Sequence, residues 1–266
     1  MKDIVERMRG GEKIVVGMVH CRALPGTRNY DGDMDRLIAG AVADAAALER
    51  GGADAVMIEN GNDAPSAERL ETAQVAALAA AARRVRDAVS IPIGVDAAFN
   101  DCKAALAVCV ACGGSFIRCP VFADTVVSGA GVLGPCNREA TLYRRWLGAE
   151  HVRIFADVQV KHAYLLNPNI PIEESASWAA SRGADAIIVT GASTGCETSL
   201  EQVRRAKTAV GIPVLAGSGV AADNAKEQFE VLDGAIVGSF FKRDGNYANP
   251  VDPARVRLLM DRVRSR

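Results

Sequence analysis

Short apolar runs rich in β-branched residues recur eight times along the chain, each followed by a segment with helical spacing. The runs are Ile14 to Met18, Ala55 to Glu59, Ile91 to Asp96, Ser115 to Pro120, Val152 to Val158, Ala186 to Thr190, Pro213 to Ala216 and Gly234 to Gly238. Most are continuous rather than alternating, as expected of strands covered on both faces in a parallel sheet. Between the first two, Leu37, Ile38, Ala41, Val42, Ala45 and Leu48 form one apolar helical face, which Gly51-Gly52 ends. Ser66 is placed to cap an Ala-rich helix ending near Val89, before Pro92. Asn100 or Asp101 caps the next helix, and Thr198 with Glu201 reads as a capping box before Val203. Pro253 falls in the first turn of the last helix, where its missing N–H costs nothing. Helix-to-strand joints share one arrangement, as in Gly51-Gly52-Ala53-Asp54 and Arg182-Gly183-Ala184-Asp185.

Strict alternation of this kind predicts an α/β protein built as a single (β/α)8 TIM barrel over residues 1–266, with a short N-terminal extension at 1–13. A doubly wound open sheet is the competing architecture. It would more often carry a GxGxxG turn after the first strand, and the chain has none there. The longest irregular stretches are Cys21 to Asp33, Phe122 to Asn137 and Tyr164 to Glu173. All follow strands, so a barrel gathers them on the face where active sites are built.

Composition narrows the function classes. Apolar residues make up 49% and charged residues 24%, a globular balance. Thirty-one basic residues against 32 acidic ones leave a net charge of −1, too little to drive binding to nucleic acid. No apolar run reaches the roughly 20 residues of a membrane span, and Met1 to Lys13 carries no signal core, so a cytoplasmic protein without membrane insertion is expected. The seven cysteines are odd in number and read as reduced thiols; Cys109-Val110-Ala111-Cys112 reads as helix packing rather than half a zinc site. A homo-oligomer is expected, as for many barrel enzymes.

Candidate chemistry clusters at strand ends. Gly217-Ser218-Gly219 follows the seventh strand and Gly238-Ser239 the eighth, where barrels often hold phosphate on backbone N–H groups. Lys242 is placed to add charge there, or is simply solvated. Thr190, Gly191 and Thr194 follow the sixth strand and either extend the cradle or form a hydroxyl-capped turn. In Asp157-Val158-Gln159-Val160-Lys161-His162 the polar residues alternate, so Asp157, Gln159 and Lys161 share a face if the strand extends that far. A neighbouring carboxylate would keep Lys161 protonated, whereas desolvation would suit it to act as base or Schiff-base nucleophile. His20, Glu59, Asn60, Asp96, Asn100 and Arg118 converge on the same mouth as substrate contacts, or else serve as caps and core partners. No motif requires a cofactor. His20, Glu59, Asp157 and His162 leave a divalent metal open, with metal-dependent hydrolysis as the reading it would carry.

Several blocks resemble the BtpA/SgcQ family. They are Val16-Gly17-Met18-Val19-His20 with Leu24-Pro25-Gly26, Gly52 to Asn60, Phe116-Ile117-Arg118, Ala156 to Ala163, Thr190-Gly191, Gly217-Ser218-Gly219-Val220 with Asn224, and Asp233 to Ser239. The resemblance runs from about Ile14 to Met260. It implies a barrel related to ribulose-phosphate-binding enzymes. One family name comes from photosystem I biogenesis and the other from a sugar-related gene cluster. The chain departs from the pattern at Ala97-Ala98-Phe99, where relatives tend to carry Leu-Arg, and at Cys119-Pro120, where they tend to carry Val-Asn. The expectation is an enzyme on a small phosphorylated metabolite, a sugar phosphate, working by isomerase, epimerase or lyase chemistry. Asp157, Lys161, His20 and Glu59 would be its catalytic groups. Asn60, Asn100, Arg118, Thr190, Gly191, Thr194, Gly217, Ser218, Gly219, Gly238 and Ser239 would bind the substrate. The alternative is a non-enzymatic accessory factor for assembly or stability of a photosystem I-type complex.

Overall fold

A computed structural model describes residues 3–191, 193 and 195–265. The eight apolar runs become β1 Ile14–His20, β2 Ala55–Glu59, β3 Ile93–Asp96, β4 Phe116–Cys119, β5 Arg153–Val158, β6 Ala186–Val189, β7 Val214–Ala216 and β8 Gly234–Val237. They close into a parallel barrel in the order β1-β8-β7-β6-β5-β4-β3-β2. After an N-terminal helix, α1 Ile4–Arg9, one helix follows each strand: α2 Met34–Gly51, α3 Thr72–Ala88, α4 Cys102–Cys112, α5 Asn137–Trp146, α6 Ile172–Ser181, α7 Leu200–Ala209, α8 Ala225–Val231 and α9 Pro253–Arg264. This is a TIM barrel.

Two apolar layers hold it together. Helix faces pack on the outer faces of the strands, with Leu37, Leu48, Leu78, Val85, Val203, Val256 and Leu259 almost fully buried. Inside, Val16, Met18, Met57, Phe116, Phe155, Ile188, Leu215 and Ile236 fill the barrel. Phe116 and Phe155 stack with ring centroids 4.9 Å apart. Gly94 makes this possible, because a Cβ there would lie 2.1 Å from the Phe116 ring. The N-terminal extension is more than a charged tail. Ile4, Val5 and Met8 on α1 join the interior cluster, so this helix is part of the barrel core.

The repeated joint before strands has a physical role. Asp54, Asp185 and Asp233 each stand directly before a strand and accept the N–H of a residue on the preceding strand: Val15, Ile154 and Val214 respectively. The same carboxylates take basic side chains: Arg7 and Arg264 for Asp54, Arg144 and Arg153 for Asp185, and Lys207 for Asp233. Strand register and helix position are thus pinned by one residue at each joint.

Several local expectations are corrected. The Ala-rich helix starts at Thr72 rather than after Ser66, with Glu71 as N-cap, whose N–H donates to Gln74. Ser199 caps α7, while Thr198 turns inward to donate its hydroxyl to the carbonyl of Ser218. Asp101, rather than Asn100, caps α4 by accepting the Ala104 N–H. The stretches after β4 and β5 are not wholly irregular. Val126–Ser128 pairs antiparallel with both Gly131–Leu133 and Tyr164–Leu165 in a small sheet over the barrel mouth. Lys242 is neither solvated nor in the mouth: it is 2% exposed, and its Nζ donates to Asp44 on α2. Asp44 also accepts the Val251 N–H, so the segment after β8 is tied to α2.

Two stability predictions follow from this packing. Met8→Ala should cost about 2–5 kcal/mol in urea unfolding, the range for truncating a core side chain, whereas a dispensable extension would leave the midpoint unchanged. Lys242→Met alone should cost about 3–5 kcal/mol by stranding the Asp44 carboxylate. Adding Asp44→Asn should recover part of that loss; equal losses in the single and double variants would refute the pair's role.

Candidate active site

Side chains at the C-terminal mouth follow from the strand period of two. The inward apolar residue of each strand is followed two positions on by a polar residue or glycine: Met18 by His20, Met57 by Glu59, Phe116 by Arg118, Phe155 by Asp157, Ile188 by Thr190, Leu215 by Gly217 and Ile236 by Gly238. On β3, Gly94 is followed by Asp96. The floor of the mouth therefore carries ionisable side chains from β1 to β5 and is empty of side chains at β7 and β8. Above it lies a cavity of about 700 Å³.

Arg118 organises the charged side. Its Nε and Nη2 donate to the two oxygens of Asp157 at 2.7 and 2.8 Å, and Nη1 donates to Asp96 at 3.3 Å. All three residues are buried. The second Asp96 oxygen has no partner among the described residues. Burial pushes the Asp96 carboxyl well above the ordinary carboxylate range, against the pull of Arg118. Burial also raises Glu59, with Arg118 and Lys161 opposing. The Lys161 ammonium is pushed below the ordinary lysine range, first by burial and then by Arg118. Its Nζ lies 3.4 Å from the Gly217 carbonyl, the acceptor it donates to. His20 is driven down to about 3 by burial and by the cations Lys242, Lys161 and Arg118, so at neutral pH its imidazole is uncharged. It sits 3.6 Å from Glu59 through Nε2, and the Tyr247 ring packs on it at 4.3 Å.

The other side is built of backbone. After β7, Gly219 has a φ of +71° and its Cβ position lies 2.3 Å from the Cys196 carbonyl, so only glycine fits. After β8, a short 3-10 turn, Ser239–Phe241, begins at the cavity wall. Among the described residues no protein acceptor meets the N–H groups of Gly219, Val220, Ser239 and Phe240. Arg255 reaches this wall, donating to the Phe240 carbonyl and stacking on its ring.

His20, Glu59, Arg118, Lys161, Gly217, Ser218, Gly219, Gly238 and Ser239 line the cavity, as expected residues brought together. Asp157 does not line it; both its oxygens serve Arg118. Asn60 and Asn100 turn away: Asn60 brackets Ala98 through its N–H and carbonyl, and Asn100 does the same to Val121. Thr190 accepts the Lys161 N–H, and Gly191 donates to the Ser218 hydroxyl, which itself donates to Cys196; these bonds join the loops after β5, β6 and β7. Thr194 lies outside the described residues. The predicted face of Asp157, Gln159 and Lys161 breaks because the strand ends at Val158. Gln159 takes a φ of +50° and directs its amide to Ile170 and Ser175 instead. His20, Glu59, Asp157 and His162 do not gather: among the described residues no group of three or more His, Cys, Asp or Glu side chains is placed to hold a metal. Tyr247 and Arg255 line the cavity without having been anticipated. They sit beyond the last strand, where no strand-end rule reaches them.

Among the described residues no helix is long and apolar enough to cross a membrane. The barrel is similar to thiamine phosphate pyrophosphorylase from Pyrococcus furiosus, with a TM-score of 0.60 at 18% identity over 96% of this chain and 97% of that one. At that identity the likeness concerns the fold. An uncharacterized protein of Thermococcus kodakarensis is 38% identical over 94% of each chain. The photosystem I biogenesis protein BtpA of Synechocystis is 36% identical over 93% of this chain and 86% of its own length. The model of the BtpA family matches residues 11–265. On this match and these relatives, the chain belongs to the BtpA family.

Proposed function

We propose that this protein is an enzyme that acts on a small phosphorylated metabolite by isomerase, epimerase or lyase chemistry. The observation that carries the reading is one cavity that joins two different walls. One holds Glu59 and Lys161 with shifted proton affinities; the other carries glycines and N–H groups after β7 and β8 that meet no protein acceptor among the described residues. Backbone donors suit a phosphate, which would be held there with Ser239 beside it. The name of the structurally similar thiamine phosphate enzyme agrees with such a ligand.

In this reading Glu59 is the general base and takes a proton from the carbon next to the substrate's electron-withdrawing group. Lys161 either donates a proton to the developing oxyanion or, once deprotonated, adds to a carbonyl and forms an imine as the carbonyl oxygen leaves as water. Asp157 fixes Arg118, and Arg118 supplies fixed positive charge beneath the reacting atoms. Asp96 lies at the floor of the same space, its second oxygen buried and without a partner among the described residues. A second reading follows the name of the Synechocystis relative: an accessory role in assembly or stability of a photosystem I-type complex. That role would survive Lys161→Met in a complementation assay, whereas catalysis would not.

Ligand and rate experiments test the enzyme reading. A panel of phosphorylated metabolites should contain a compound that at 100 times its Kd adds about 2.7 kcal/mol of stability, roughly 5–10 °C in Tm for a chain of this size. Ser239→Asp should abolish that shift by placing a carboxylate at the phosphate wall; an unchanged shift would remove the assignment. With the compound identified, Lys161→Met and Glu59→Gln should each lower kcat about 10²–10⁴-fold. The rate should be bell-shaped in pH. Its acid limb would lie above the ordinary carboxylate range, because burial raises Glu59 and the base must be ionised. Its alkaline limb would lie below the ordinary lysine range if Lys161 acts as proton donor. Irreversible inactivation by borohydride with substrate would assign the imine route instead.

A further inference from the structure

The half of the cavity opposite the proposed phosphate wall has a different chemistry. In the closed strand order, β3 faces β7 and β4 faces β8 across the mouth. The residues that follow β3 and β4 into the cavity are Ala98, Phe99 and Pro120, and Val160 joins them after β5. Phe99 and Val160 pack with Val121, Val126 and Leu133, so this wall is backed by the small sheet over the mouth. Three polar residues near it are engaged elsewhere. Asn60 is spent on Ala98 and Asp63, Asn100 on Val121, and Asp124 on the Gln159 N–H and the Ser175 hydroxyl. The polar side chains that line this side are Glu59 and Asp96 at the floor and Lys161 and His162 after Val160, so carbon dominates at the patch formed by Ala98, Phe99, Pro120 and Val160. A polyhydroxylated substrate would therefore lay hydroxyls against carbon with few partners, a costly arrangement. A flat hydrocarbon surface would gain from the same contact.

We infer that the substrate carries, opposite its phosphate, a planar apolar group such as an aryl ring, which seats on Phe99, Pro120 and Val160 while the bond to be changed lies over Glu59, Asp96 and Lys161. The inference rests on the phosphate reading above and refines its ligand from a sugar phosphate to an aryl-bearing or similarly unsaturated phosphate.

The test is calorimetric titration of the full chain with four probes: inorganic phosphate, glycerol phosphate, phenylpropyl phosphate and phenylpropanol. Phenylpropyl phosphate should bind at least about tenfold more tightly than glycerol phosphate, the gain expected from burying part of a ring. Phe99→Ala should remove that advantage and leave glycerol phosphate binding unchanged. Because Phe99 also touches buried neighbours, Phe99→Leu serves as a second variant that keeps an apolar contact and loses the planar face; it should lower phenylpropyl phosphate affinity several-fold. Equal or tighter binding of glycerol phosphate, or no effect of either variant on the aryl probe, would overturn the inference while leaving the phosphate wall standing. Phenylpropanol binding as tightly as its phosphate ester would instead overturn the phosphate reading, as would the failure of every phosphorylated probe to bind.

Discussion

The buried Arg118 guanidinium is the constraint around which the mouth is arranged. A cation inside a barrel is tolerable only when its donors are met by carboxylates of fixed geometry. Asp157 meets two of them in parallel and Asp96 a third. That arrangement ties β3, β4 and β5 together at their C-terminal ends. It also commits both Asp157 oxygens while leaving one Asp96 oxygen without a partner among the described residues. The positive charge has a second effect, because Lys161 and His20 share its field. Both are pushed toward their neutral forms by burial, and Arg118 adds to the push. One structural choice thus separates the roles of neighbouring ionisable groups.

The step of two residues along each strand distributes those groups. The layer below the mouth is apolar and tightly filled, with Phe116 beside Phe155 in the space Gly94 leaves open. The next inward layer carries ionisable side chains from β1 to β5, a hydroxyl at β6 and none at β7 and β8. Just beyond the bare positions, the N–H groups of Gly219, Val220, Ser239 and Phe240 meet no protein acceptor among the described residues, and such groups favour anions. Under the proposed function, an asymmetric mouth of this kind would orient a ligand that carries an anion at one end. The apolar layer beneath prevents the charged layer from relaxing downward, so the cluster's geometry depends on the packing under it.

Much of the fold was legible because burial leaves a strong mark on sequence. Strands covered on both faces must be apolar throughout, and the eight runs map onto the eight barrel strands with boundary shifts of a few residues. Caps were less legible. Ser66 and Thr198 have the right side chains, but Glu71 and Ser199 stand where the helices start, and Thr198 is drawn into the core by the Ser218 carbonyl. Lys242 was misread for a related reason. Its partner Asp44 lies 198 positions away on α2, and no local pattern announces so distant a pair.

The cluster at the mouth was legible in outline, because polar residues ending apolar strands are hard to explain otherwise. Its division of labour was not. Asn60 and Asn100 look like ligand contacts in sequence, yet each amide offers a donor and an acceptor at the spacing of one backbone peptide. Each has taken that role, holding a loop rather than a substrate. The same loops bring Ala98 and Phe99 after β3 and Pro120 after β4 to the cavity. With Asn60 bonded to the Ala98 backbone and Asn100 to the Val121 backbone, Ala98, Phe99 and Pro120 are left to line this part of the cavity. Fixing the loops with buried amides and lining the cavity with carbon are two consequences of one arrangement, and together they bear on which ligand the mouth accepts.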